Sequence, residues 1–172
     1  MIGKYPIVAH VDLVDQIASL LRLKQDYGFD LVILGGAEAY LLAPKLAEME
    51  VPVILVQSAP HTFETWHAVP NSASLLAAAV VDVGISILES PFPRNLRWEA
   101  GLASSYGLSW EDSLKAITKV PAAAFNLPSG VGQVLVGTKA NFVAFSGDPL
   151  SLDSTIQLQA LGGFVDCKPL QY

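Results

Sequence analysis

The chain has 172 residues, a formal net charge of −6, 52% hydrophobic residues and only 15% charged ones. That length suits one domain with a small appendage, and the acidic balance excludes the clustered Lys and Arg of a nucleic-acid surface. A single cysteine, Cys167, excludes an internal disulfide and a cysteine metal cluster.

So high an apolar share implies either a large buried fraction or a surface that meets a partner. Met1–Val11 lacks the apolar core and cleavage site of a secretory leader. Ala73–Leu88 is shorter than the ~20 residues of a membrane span and holds Asp82 near its middle. The expectation is a cytoplasmic protein with no membrane and no nucleic-acid partner.

In chain order, Pro6–His10 reads as a strand ending in a histidine. Asp12 then caps a helix through about Tyr27, with Val14, Ile17, Leu20 and Leu21 on one face and Gly28 at its close. Leu31–Leu34 is a wholly apolar second strand, the pattern of a strand buried on both faces. Gly35 and Gly36 turn the chain sharply into a helix with Glu38 in its first turn, Tyr40, Leu41 and Leu46 inward, and Pro44 kinking it or starting its second half. Val51–Val56 is a third strand.

Gln57–Asn71 is the longest irregular stretch, carrying His61, Glu64, Trp66 and His67. Ser72–Val80 reads as a helix of small residues and Val83–Leu88 as a fourth strand, with a loop over Glu89–Pro93. Asn95–Tyr106 and Ser109–Lys119 are helices, the second opened by Ser109 and Asp112 at capping-box spacing. After Pro121 the pattern changes to short strands at Gln133–Val136, Asn141–Phe145, Thr155–Leu161 and Phe164–Cys167, with Gly162-Gly163 as a hairpin turn.

Residues 1–120 therefore give four βα units and an extra helix, and residues 121–172 a small β unit. Alternation of this kind calls for a parallel sheet. Four such strands are either half of a closed eight-stranded barrel or a complete open doubly wound sheet, and periodicity alone does not separate the two.

Several strings resemble the metal-dependent amidohydrolase superfamily near its imidazolonepropionase-like members: AHVDLVDQI, LVILGGAEAY, VPVILV, RNLRWEAGLA, GLSWEDSLKAIT followed by PA, and VGQVLVGTKANFVAFSGDPL. The resemblance runs almost end to end and implies the family's second half: strands five to eight of a TIM-like (β/α)8 barrel, then the C-terminal part of its β-sandwich. It implies a hydrolase of carbon–nitrogen bonds other than peptide bonds, with a divalent metal, zinc in the family's pattern. The H-x-H pair on strand one and the strand-four lysine of complete relatives have no counterpart here.

By the same resemblance, His10 stands where strand five ends in a metal ligand, and Gly35 stands where strand six often places a second histidine. Glu89 is the carboxylate nearest to the strand-eight aspartate that binds metal and accepts the proton of bound water. Each has a plainer reading: His10 as a helix-capping or solvent-facing imidazole, Glu89 as a solvated loop residue. His61 and His67, six apart, suit neither a helix face nor a strand face, so they read as part of a lid in which Phe63 and Trp66 cover the strand ends. Gly35-Gly36 lacks the Lys or Ser/Thr of a nucleotide loop. Arg94, Arg97 and Glu99 read as surface or cap contacts, and Cys167 as core.

Two classes of function follow. One is an amidohydrolase-like enzyme for a small-molecule substrate, incomplete and inactive alone until an N-terminal half supplies the missing ligands. The other is a non-catalytic half-barrel, with no metal of its own, that pairs with a copy of itself or with that half. Both expect association or poor folding of the isolated chain, because four open strands leave unpaired edges.

Overall fold

The computed structural model describes residues 5–56, 71–87 and 95–167. The first layer is a four-stranded parallel sheet: β1 (Ile7–Val11), β2 (Leu31–Gly35), β3 (Val53–Leu55) and β4 (Val83–Ile85), in chain order. The strands align Ala9 with Ile33, Ile33 with Val53, and Val53 with Val83. Between them run α1 (Val14–Tyr27), a 3₁₀ turn (Ala39–Leu42) leading into α2 (Ala43–Glu48), and α3 (Ser72–Ala78). Three helices follow the sheet: α4 (Leu96–Ser105), α5 (Trp110–Ala116) and α6 (Lys119–Ala124).

Alternation along the strands sorts the core. Leu31, Ile33, Val53, Leu55, Val83 and Ile85 join Ile17 and Leu21 of α1, Leu46 of α2 and Leu76 of α3 in one buried cluster. Side chains such as Ile33 and Val53, with no exposed surface, each contribute about 1.5–3 kcal/mol relative to solvent exposure. On the opposite sheet face Val32 and Ile54 are also buried, which is why these strands read as unbroken apolar runs. Burial fails at one place. That place is β1, where Ile7 is 52% and Val8 43% exposed, and β1 is a sheet edge with β2 on one side only among the described residues.

Helix ends follow local chemistry. Gly28 closes α1 and donates its N–H to the Lys24 carbonyl at 2.8 Å. Ser109 caps α5: its hydroxyl accepts the Asp112 N–H at 3.0 Å, the first half of the capping box its spacing predicts, and donates to the Asp112 carboxylate at 2.6 Å. Pro44 sits in the first turn of α2, where its missing N–H costs nothing.

The second layer is an antiparallel sheet of β5 (Phe142–Phe145), β6 (Ile156–Leu161) and β7 (Phe164–Cys167). Its last hairpin turns at Gly162 and Gly163, with φ of 59° and 97°, the two left-handed residues of a type I′ turn. Arg97 of α4 fastens this layer to the first. Its guanidinium donates to the carbonyls of Pro149 (3.0 Å), Ser151 (3.3 Å) and Ser154 (3.1 Å).

Four expectations need correction. Gln133–Val136 forms no strand; Val134 and Val136 are exposed and the segment pairs with no strand among the described residues. Leu41 faces solvent, because the 3₁₀ turn breaks the 3.6-residue period that placed it inward. Lys119–Ala124 adds a helix that Pro121 concealed, the proline falling in its first turn. Cys167 is exposed on the outermost strand, not in a core. No helix among the described residues is long and apolar enough to cross a membrane.

Candidate functional site

At the C-terminal end of β2 the chain passes through Gly35 (φ 95°) and Gly36 (φ 66°), a left-handed pair that other residues adopt only with strain. The turn brings the residues after β2 against those after β1. Gly36 N–H donates to Val11 O at 2.8 Å and Glu38 N–H to Asp12 O at 2.9 Å. Side chains complete the contact in both directions. The Asp12 carboxylate accepts Ala37 N–H at 3.1 Å, and the Glu38 carboxylate accepts Val14 N–H at 2.8 Å.

Asp12 therefore does not cap its own helix, as its position before α1 predicts. The N-cap residue is Leu13, with no side-chain cap bond, and Glu38 supplies the acceptor from the next loop. A carboxylate at a helix N-terminus satisfies an orphan N–H and meets the positive end of the helix dipole. The Gly-Gly turn imposes this exchange: it carries Glu38 to the start of α1 and Ala37 to Asp12.

His10 lies on β1 in register with Leu34 and is exposed. A Cβ built on Gly35 would fall 2.6 Å from Asp12 Oδ1, 3.0 Å from His10 Cδ2 and 3.1 Å from Val11 O. The Asp12 carboxylate and the His10 ring thus flank the place a side chain at position 35 would occupy. Beside them an open groove of about 660 Å³ runs between β1 and α1, lined by Ala9, His10, Val11, Gln16, Ser19 and Leu20 among others.

A catalytic metal needs about three protein ligands around an open position. Position 35 has no side chain, Asp12 and Glu38 are engaged with backbone donors, and among the described residues only His10 offers an imidazole at these strand ends. Among the described residues no group of three or more His, Cys, Asp or Glu could hold a metal ion. The residues described do not fit one. Glu89, Arg94, and the lid expected from His61, Phe63, Glu64, Trp66 and His67 lie outside the described residues. Arg97 is no mere surface contact, since it binds three carbonyls of the C-terminal segment.

The carboxylates of Asp12 and Glu38 are the site residues sequence reasoning placed wrongly. A signal existed: each follows a strand end by one to three residues, where α/β folds gather polar groups.

A family model for the amidohydrolase family matches residues 72–167. No curated protein sequence matches the chain. Among solved structures, an amidohydrolase from Thermotoga maritima MSB8 is 27% identical with a TM-score of 0.83, over 93% of this chain and 43% of that one. A prolidase complexed with N-methylphosphonate-L-proline is 18% identical (TM-score 0.69; 95% and 45% covered). An atrazine chlorohydrolase from Arthrobacter aurescens TC1, complexed with zinc, is 17% identical (TM-score 0.56; 94% and 44%). The last two show a shared fold alone. The chain spans less than half the length of each of these three structures.

Proposed function

The chain belongs to the amidohydrolase family, and from that premise we propose that it is the second half of a hydrolase acting on carbon–nitrogen bonds other than peptide bonds. In this reading hydrolysis requires a first half that completes the barrel and brings the metal ligands. A divalent metal, zinc in the family's pattern, is the cofactor assigned to the completed protein. This chain contributes strand ends that floor the pocket, with His10 as the imidazole there among the described residues. The observation that carries the reading is the agreement with the Thermotoga amidohydrolase over 93% of this chain but 43% of that one.

A second reading is a non-catalytic half-barrel that acts by pairing, either with a first half or with a copy of itself. The edge of β1, unpaired among the described residues, and the filled space beside Gly35 favour it. The experiment that decides is a hydrolysis screen on acyclic amides, cyclic amides and ureas. It compares this chain alone with the chain joined to, or coexpressed with, a first half. The hydrolase reading expects no turnover by the chain alone and chelator-sensitive turnover by the completed protein. A folded, zinc-loaded complete protein that turns over none of them would leave the pairing reading.

A further inference from the structure

We infer that the end of β2 is a fastening between two strand-end loops and not a ligand position, so that β1 and β2 hold no metal ion between them. The inference concerns this chain's own residues and stands whether or not the completed protein is a hydrolase.

Three observations converge on it. The first is conformational: Gly35 has φ 95°, which strains any residue carrying a Cβ, so a histidine there would distort the backbone that presents it. The second is spatial. The position of that Cβ is taken by Asp12 Oδ1 at 2.6 Å, with His10 Cδ2 and Val11 O close behind. Asp12 could swing aside only by giving up the Ala37 N–H. The third is electronic. Both nearby carboxylates already accept backbone N–H groups, Asp12 from Ala37 and Glu38 from Val14, and ligating a metal would break bonds that close the loop pair. Removing an acceptor from a partly buried donor is costly.

The fastening is mutual. Each loop contributes one carboxylate and receives one, and two backbone bonds, Gly36 N–H to Val11 O and Glu38 N–H to Asp12 O, lie between them. Turning the position back into a ligand would need a new side chain, a new backbone conformation and the release of Asp12 together.

The test uses zinc alone on the whole chain after chelator treatment, read by metal analysis after gel filtration and by thermal unfolding. The expected result is well under one zinc per chain and no zinc-dependent rise in Tm. Zinc bound at one per chain and lost in both His10→Ala and Asp12→Asn would overturn the inference. Zinc retained through both substitutions sits elsewhere and agrees with it.

A second measurement reads the fastening without metal. Gly35→Ala is expected to lower Tm by about 5 °C. Its loss should be smaller in an Asp12→Ala background, where the nearest obstructing atom is gone. Fully additive losses would show that Asp12 does not occupy the space beside Gly35 and would overturn the proposal.

Discussion

Glu38 accepts the backbone N–H of Val14 at 2.8 Å from 24 residues further along the chain. A helix in one βα unit is thus capped by the loop of the next. Glu38→Ala should cost about 1–2 kcal/mol, the ordinary value of an N-terminal cap, and Glu38→Gln, which keeps an oxygen acceptor, less than half of that. Urea denaturation of the three proteins measures both. Equal losses for Ala and Gln would mean that the charge, through the helix dipole, outweighs the hydrogen bond.

Asn71 ties α3 to α4. It is buried, its Oδ1 accepts Ala73 N–H at 3.1 Å and its Nδ2 donates to Ala103 O at 3.0 Å. Asn71→Ala should destabilise the chain by about 2–3 kcal/mol, a cap and a buried hydrogen bond together. Asn71→Asp keeps the cap but turns an acceptor towards the Ala103 carbonyl, and should be no better tolerated. Denaturant midpoints decide, and a stable Asp variant would disprove the role of the Nδ2 bond.

Arg97 is predicted to hold the C-terminal layer. Its guanidinium spans three carbonyls and stacks 5.3 Å from the Phe145 ring centroid, a geometry that the single ammonium of lysine does not reproduce. Arg97→Lys should raise the rate of limited proteolysis across residues 146–155 while protection of the parallel sheet in hydrogen exchange stays unchanged. Loss of protection in both layers would mean that Arg97 supports the whole chain.

Acid should weaken the same region. The Ser109 hydroxyl, and then Lys115, hold the Asp112 carboxyl below its ordinary value against an opposing effect of burial. The Trp110 indole, and then Leu150 N–H, do so for Asp148. Both folded values lie below the unfolded ones, so their stabilisation is complete above the usual carboxylate range near ~3.9 and is lost as pH falls through the lowered values. Stability should therefore be level above about pH 5 and decline below about pH 4. Ser109→Ala should move the Asp112 titration upward when followed by NMR; an unchanged titration would refute the assigned cause.

The open edge of β1 predicts association of the isolated chain. Ile7 and Val8 are exposed on a strand with no second neighbour among the described residues, and such an edge templates pairing. Sedimentation velocity should find oligomers whose population falls in Val8→Lys with little change in Tm. A wild-type chain that stays monomeric at high concentration would count against pairing through this edge.

The sequence by itself determined the alternation of strand and helix, the parallel sheet, the hairpin at Gly162-Gly163 and the cap at Ser109. These rest on local periods and on turn residues that act within four positions of themselves. It also carried the family resemblance, because strings such as LVILGGAEAY and GTKANFVAFSGDPL keep their pattern along the chain. Only the tertiary structure decided what the strand ends do. Asp12 lies next to α1 in sequence, so a local reading gives it the cap. The left-handed turn at Gly35-Gly36 instead brings a carboxylate 24 positions away to that N–H and leaves Asp12 to fill the space beside Gly35. Likewise Val134–Val136 has the composition of a strand, but a strand needs a neighbour to accept its hydrogen bonds, and which segments become neighbours is settled by the fold of the whole chain.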